Sequence, residues 1–234
     1  SKKRSMCAPT APPYGLYLYK VKYWKIMNNF PKKIPIFPLR GVIFFPDTNL
    51  PLNIFEKRYL KMVDDILKND KFLGMIQSKE KDGEVYKIGC LGKIDEHSRT
   101  SDGRILINLK GVTRFKIDKE IQTGEPYREF EVKYDFFKND INVKKIKINN
   151  ELLSKVINNS KNFFKKQGIL INWDELSKLS VPNQIYTLAM ISPISVEEKQ
   201  KLLEIAELDE MANILNDITN FSLYEVPDQK RILQ

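Results

Sequence analysis

The stretch from Ile34 to Asp65 constrains the fold more than any other part of this 234-residue chain. It contains two short apolar runs interrupted by four prolines, Pro35, Pro38, Pro46 and Pro51. Because proline fixes φ and removes a backbone donor, such strands must be short, bent or at a sheet edge. An amphipathic helix is predicted to begin near Glu56. This order predicts the first corner of a small, strongly curved β-structure.

Residues 32–137 carry the signals of further short strands separated by turns. Apolar and polar residues alternate with period two in 104–121 and again in 127–137, which is typical of half-buried strands. Asp-Gly pairs at 82–83 and 102–103 predict tight turns. Gly89 and Gly92 predict bulges or close backbone approach within their strand. Several short strands and one early helix predict a compact, partly closed β-barrel.

Beyond Asp140 the apolar residues recur at helical spacing. Gly168 occupies the position of a helix C-cap glycine, and Ser195 with Glu198 matches a capping box. The predicted fold class is therefore α+β. We divide the chain into a flexible leader or extension (1–26), a β-barrel subdomain (27–146), and a helical bundle with its tail (147–234).

The net charge of +9 comes largely from the leader. The first 26 residues hold six basic side chains and no acidic one. Arginine is scarce beside lysine, although its planar fork is the better ligand for bases and phosphates. The charge alone therefore gives little reason to expect a nucleic-acid partner.

The two cysteines, Cys7 and Cys90, lie far apart and form neither a disulfide framework nor a metal-binding spacing. A reducing cytoplasm is the expected compartment. No apolar run approaches the roughly 20 residues that a membrane helix needs. We therefore expect no membrane association.

Several short motifs follow one another in a recognisable order. They are the proline-rich opening FPLRG, FFP and LPLNIFEKRY, then GCLGKI (89–94), DGRILINLKGVTRF (102–115), PYREFEV (126–132), VPNQIYTLAM and EEKQKLLEIAELDEM. This order resembles the amino-terminal substrate-binding domain of the Lon protease family, and in particular the stand-alone proteins that carry only that domain. The resemblance runs from about Ile34 to Phe221. It implies a PUA-like β-barrel, a closing helical bundle and recognition of protein substrates.

Two positions depart from the family pattern. Asn53 stands where many relatives have histidine, and Met211 where the closing helix usually has arginine. The sequence also lacks a GxxxxGK[ST] phosphate loop, a GxSxG elbow and a multi-histidine metal site. His97 lies in the polar run DEHSR, where a solvated loop residue is expected. We predict a protein that is not an enzyme and uses no cofactor and no metal.

The candidate substrate-binding residues cluster at the predicted start of the first helix and at the strongest hairpin. They are Phe45, Phe55, Glu56, Lys57, Arg58, Tyr59, Arg104 and Arg114. A helix start beside exposed aromatics can hold an extended peptide through backbone amides and a charged rim. The alternative is structural: local packing for the helix residues, salt bridges for the two hairpin arginines, and a core position for Phe45.

The leading function hypothesis is a non-catalytic module that binds unfolded or extended polypeptides, with delivery to a separate protease as its expected role. The alternative is an RNA-binding protein, because the PUA-like fold is used for RNA elsewhere and residues 27–146 carry a net charge of +5. That alternative rests on fold analogy. A fragment of a complete Lon protease is disfavoured, because 221–234 breaks the helical pattern and resembles a natural tail.

Overall fold

The structure, a computed structural model, describes residues 30–79, 83–141 and 148–224. The predicted leader (1–26) and the last ten residues lie outside the described ranges. The strands are β1 (Lys33–Pro38), β2 (Asn49–Ile54), β3 (Phe72–Ser78), β4 (Val85–Arg99), β5 (Ile105–Ile121) and β6 (Glu129–Lys133). The helices are α1 (Lys57–Leu67), α2 (Asn150–Lys166), α3 (Trp173–Ser177), α4 (Val181–Ile191), α5 (Val196–Glu204) and α6 (Leu208–Tyr224). A 3-10 helix, Asp135–Asp140, follows β6.

The six strands form one sheet in the order β2-β5-β4-β3-β1-β6. β1 and β3 are parallel, and the other neighbours are antiparallel. β6 pairs with β1 and also with the far half of β5. The hydrogen-bonded ladder therefore runs from β5 through β4, β3, β1 and β6 and returns to β5. The fold is thus a mixed one, a six-stranded sheet followed by helices.

Two strand glycines let another backbone segment approach where a side chain would not fit. A Cβ on Gly111 would lie 1.9 Å from the Phe45 carbonyl oxygen, and one on Gly89 would lie 2.4 Å from the Met75 carbonyl oxygen. The register between β4 and β5 shifts at Leu91/Gly92. The close approach and the bulge expected of the β4 glycines are therefore confirmed.

The helix signals in the sequence are largely confirmed. Ser195 and Glu198 make both hydrogen bonds of a capping box at α5. Gly168 follows α2 with φ +70°, the left-handed conformation that favours glycine. One predicted strand is shorter than expected: β6 ends at Lys133, and the chain continues as the 3-10 helix. That turn brings Asp140 to Arg114, a partner that no period-two pattern reveals.

The apolar core has two clusters that meet at neighbouring residues. Phe44 packs with the strands and α1, whereas Phe45 packs with the helices, where its ring stacks on Tyr186 at 4.7 Å. Adjacent side chains in extended backbone point to opposite sides, which explains this division. The strands and helices accordingly share one compact unit.

Candidate functional site

A surface cleft of about 230 Å³ lies where α1 begins. Five segments enclose it: β1, the first turn of α1, the end of β3, the residues that lead into β4 with its start, and the residues that precede β6. Its walls are mostly apolar and include Ile36, Pro38, Tyr59, Val85, Pro126 and Tyr127. Its charged lining residues are Glu56, Arg58, Glu84 and Arg128.

The sequence builds this cleft by bringing two distant segments to β1. The Ile36 amide donates to the Arg128 carbonyl at 2.9 Å, which fixes residues 126–128 beside the strand. Glu56 is the N-cap residue of α1, and its carbonyl accepts from the Tyr59 and Leu60 amides. The ring of Tyr59 then packs edge-on against Phe37, with ring centroids 4.5 Å apart.

Each charge that lines the cleft has a counter-charge. Arg58 pairs with Glu56 at 2.9 Å and lies over the Tyr59 ring at 4.6 Å. Arg128 makes a bidentate pair with Glu120, and Glu84 lies 3.6 Å from Lys79. The hydrogen bond from Arg128 lowers the pKa of the Glu120 carboxyl. The cleft is therefore close to neutral and suits an uncharged, apolar group.

The two tyrosines of the cleft differ in how their hydroxyls are used. The Tyr127 hydroxyl donates to the Asp65 carboxylate at 3.1 Å. Burial, followed by that carboxylate, raises the pKa of Tyr127 to about 12. Burial also raises the pKa of Tyr59. Both phenols therefore stay protonated at neutral pH, and Tyr127 donates its one hydroxyl hydrogen to Asp65.

The structure brings three of the eight predicted contact residues together. Glu56, Arg58 and Tyr59 line the cleft. Lys57 is exposed on the first turn of α1, and the Phe55 side chain, 65% exposed, directly precedes it. Both adjoin the cleft in sequence but do not line it.

The other three predicted contact residues lie elsewhere. Arg104 is exposed and pairs with Asp102 within the β4–β5 turn. Phe45 is fully buried, and Arg114 is 1% exposed, so the assignment of these two as substrate contacts is wrong. Phe45 belongs to the core and Arg114 to a buried ion pair with Asp140. Both observations agree with the structural alternatives given for them above.

Sequence reasoning missed the part of the cleft that precedes β6. Pro126, Tyr127 and Arg128 belong to the motif PYREFEV, but no local pattern predicts that β6 pairs with β1. That pairing spans almost 100 residues of chain and is set by tertiary packing. The residue types of Pro126, Tyr127 and Arg128 are the only local signals that this segment lines a cleft.

A second cleft, of about 300 Å³, lies among α2, α3 and α4. Trp173 forms part of its wall, with the Lys161 ammonium 5.6 Å from the ring. None of the predicted contact residues lines it. Within the described ranges, no group of three or more His, Cys, Asp or Glu side chains could hold a metal ion. The described helices include none long and apolar enough to cross a membrane.

Comparison with known proteins gives one consistent match. The family model of the ATP-dependent protease La (LON) substrate-binding domain matches residues 33–220. The Lon proteases of Flavobacterium johnsoniae and Cytophaga hutchinsonii are 29% and 25% identical over 201 and 200 residues, or 80% of this chain. Those residues are 24% of each relative, so the chain spans about a quarter of their length.

Two solved structures share the fold. The N-terminal domain of Mycobacterium avium complex Lon protease matches with a TM-score of 0.58 and 18% identity, covering 80% of this chain and 98% of that domain. A Lon N-terminal domain protein from Xanthomonas campestris matches with a TM-score of 0.56 and 20% identity, covering 78% and 96%. The sheet and the helices together therefore have the architecture of a Lon N-terminal domain.

Proposed function

Because the chain belongs to the LON substrate-binding domain family, we propose that it binds unfolded or extended polypeptides in the cleft at the start of α1. The observation that carries the proposal is the composition of this cleft. Its walls are apolar, its charges are paired, and three of the residues expected to contact substrate line it. An apolar side chain of an unfolded chain would enter it and lose contact with water.

The size of the cleft also favours a side chain over a small-molecule ligand. Pockets for drug-sized ligands and cofactors usually enclose about 300–1,000 Å³. This cleft, at about 230 Å³, lies below that range. Phe55 and Lys57 adjoin it and would contact the flanking residues of a longer polypeptide.

We propose that the cleft binds polypeptide without catalysing a reaction. The lining residues include no cysteine and no histidine, and among the described residues none makes a hydrogen bond with the hydroxyl of the one lining serine, Ser78. We propose a protease as the protein that receives the bound polypeptide, because the curated relatives are Lon proteases. We place this recognition in the cytoplasm, where a free buried thiol such as Cys90 remains reduced.

We also infer that the sheet is a closed, PUA-like barrel. The pairing of β6 with both β1 and β5 supports closure, since it leaves no free edge between those strands. β2 would then extend the barrel from one side of β5.

The charged residues of β5 and those within or beside β6 give less support to RNA binding, the alternative function. Three cations on β5 and beside or within β6 are paired with carboxylates: Lys119 with Glu131, Arg128 with Glu120, and Lys133 with Asp118. A phosphate would have to compete with each of these carboxylates. Affinity for nucleic acid comes mostly from cations that release counterions from phosphates. Paired cations supply less of that affinity.

The test is binding of fluorescein-labelled, unfolded casein to two matched variants of the full chain. Val85→Glu adds a charge to the apolar wall of the cleft and is expected to weaken binding at least about tenfold. Ser154→Glu adds the same charge to the second cleft and should leave binding unchanged. Thermal midpoints establish that both variants fold. Pro126→Asp, at an exposed lining position, replaces Val85→Glu if that variant unfolds.

Unchanged binding in the folded cleft variant would contradict the assignment of this cleft. Weakened binding in Ser154→Glu alone would move the site to the second cleft.

A further inference from the structure

Tyr59 presents an unused hydroxyl to the cleft. Its ring is packed against Phe37, and the residue is only 5% exposed, so the ring has little freedom. Among the residues that the structure describes, none makes a hydrogen bond with this hydroxyl, although it belongs to a cleft-lining side chain. Buried tyrosine hydroxyls usually find a partner. A ligand in the cleft could supply that partner.

Arg128 offers a second set of donors on the same cleft. A guanidinium has five N–H groups. Nε and Nη2 donate to the two Glu120 carboxylate oxygens at 2.6 and 2.7 Å, and Nη1 donates to the Gly83 carbonyl. The two remaining N–H groups have no acceptor in the described parts of the chain. The Glu120 pair and the Phe130 ring, 4.9 Å away, hold the guanidinium in place.

We propose that the Tyr59 hydroxyl and the free N–H groups of Arg128 donate hydrogen bonds to main-chain carbonyl groups of the bound polypeptide. The inference rests on the proposed function and specifies how the site recognises its ligand. Main-chain carbonyls occur at every residue of an unfolded chain, so the contact is independent of sequence. The apolar wall then selects the side chain that enters, and these donors select an extended backbone.

Two further observations agree with a neutral acceptor in this position. The charge of Arg128 is already balanced by Glu120, so a carboxylate ligand would gain little there. Burial raises the pKa of Tyr59, and this phenol therefore remains a donor at neutral pH. A carbonyl oxygen accepts from both groups without carrying a charge into an apolar cleft.

The chain provides a matched control for the hydroxyl. Tyr134 does not line the cleft, and its hydroxyl donates to the Pro31 carbonyl at 2.7 Å. Tyr59→Phe and Tyr134→Phe each remove one oxygen and keep the ring. Only the first variant removes a donor that is free to bind a ligand in the cleft. A general effect of removing a tyrosine hydroxyl would affect both variants alike.

The experiment titrates fluorescein-labelled, unfolded casein against the full-length wild type and three variants, with the thermal midpoint of each. We expect Tyr59→Phe to bind about fivefold more weakly, the value of one hydrogen bond, and Tyr134→Phe to bind within about twofold of wild type. Arg128→Lys keeps the positive charge but removes the planar guanidinium with its several N–H donors. It should also bind about fivefold more weakly.

The outcomes separate this inference from the proposed function. If the wild type binds casein and Tyr59→Phe and Arg128→Lys bind it equally well, the inference is overturned and the proposed function is preserved. Absence of wild-type binding overturns both. If Tyr59→Phe lowers the thermal midpoint as well, Arg128→Lys decides: weaker binding at an unchanged midpoint supports the inference, and unchanged binding overturns it.

Discussion

Arg114 and Asp140 form an ion pair that is buried on both sides, with each side chain 1% exposed. The Arg114 amide and Nε donate to one carboxylate oxygen at 2.9 Å, and Nη2 donates to the other at 2.7 Å. Nη1 donates to the carbonyls of Leu203 and Ile205. These carbonyls lie at the end of α5, where the helix has no internal donors for them. A single guanidinium therefore joins β5, the 3-10 helix and α5.

Breaking this pair should destabilise the protein strongly. Asp140→Asn would leave a buried, uncompensated guanidinium, and we expect a loss of about 3–5 kcal/mol in the free energy of unfolding. Glu56→Gln, which removes the carboxylate of an exposed pair with Arg58, should change it by about 1 kcal/mol or less. Urea unfolding followed by circular dichroism measures both. Equal, small effects would show that Arg114 is not the junction described here.

Gly111 should not tolerate a side chain. An alanine there would place its Cβ 1.9 Å from the Phe45 carbonyl oxygen. Because that oxygen belongs to the main chain, it cannot move aside as the end of a flexible side chain would. We expect Gly111→Ala to lower the free energy of unfolding by about 1–3 kcal/mol or more. Gly124 has nothing within 4 Å of its Cβ position, so Gly124→Ala is the matched control. Comparable thermal midpoints for the two variants would contradict this packing.

The sequence alone predicts the local features well because neighbouring residues determine them. The capping box of Ser195, the glycine after α2 and the alternation in β5 all depend on residues within a few positions. The partners of Arg114 and Arg128 are not predictable in this way. Each arginine is placed by strand pairing or helix docking across many residues, and exposed and buried arginines have the same local pattern. The cleft residues at the start of α1 could therefore be predicted, but those that precede β6 could not.

The pairing of Glu120 with Arg128 predicts a dependence on acid pH. The hydrogen bond from Arg128 lowers the pKa of Glu120 from its ordinary value. A carboxyl with a lowered folded-state pKa stabilises the protein above its unfolded pKa, and that contribution is lost as the pH falls through the folded value. The thermal midpoint of the wild type should therefore decrease as the pH falls below about 4, and that of Glu120→Gln should decrease less steeply. Parallel pH profiles for the two proteins would contradict this.

Deletion of residues 1–26 should leave the folded unit intact. The buried apolar side chains of the described ranges extend from Ile34 to Leu215, and they form both core clusters among themselves. The leader contributes unbalanced positive charge and no turn-bounded periodicity. We expect the thermal midpoint of residues 27–234 to match that of the full chain within a few degrees. A large drop would place leader residues in the core.

The most direct test of the account is a titration of the full chain with unfolded casein and with a structured RNA, each at low and at moderate salt. An apolar, charge-balanced cleft predicts casein binding in the micromolar range, about −8 kcal/mol or weaker, with little dependence on salt. RNA held through phosphates would instead lose affinity steeply as salt rises. Salt-insensitive binding of casein, tighter than that of RNA, is the predicted result. Tight, salt-sensitive RNA binding without casein binding would contradict it.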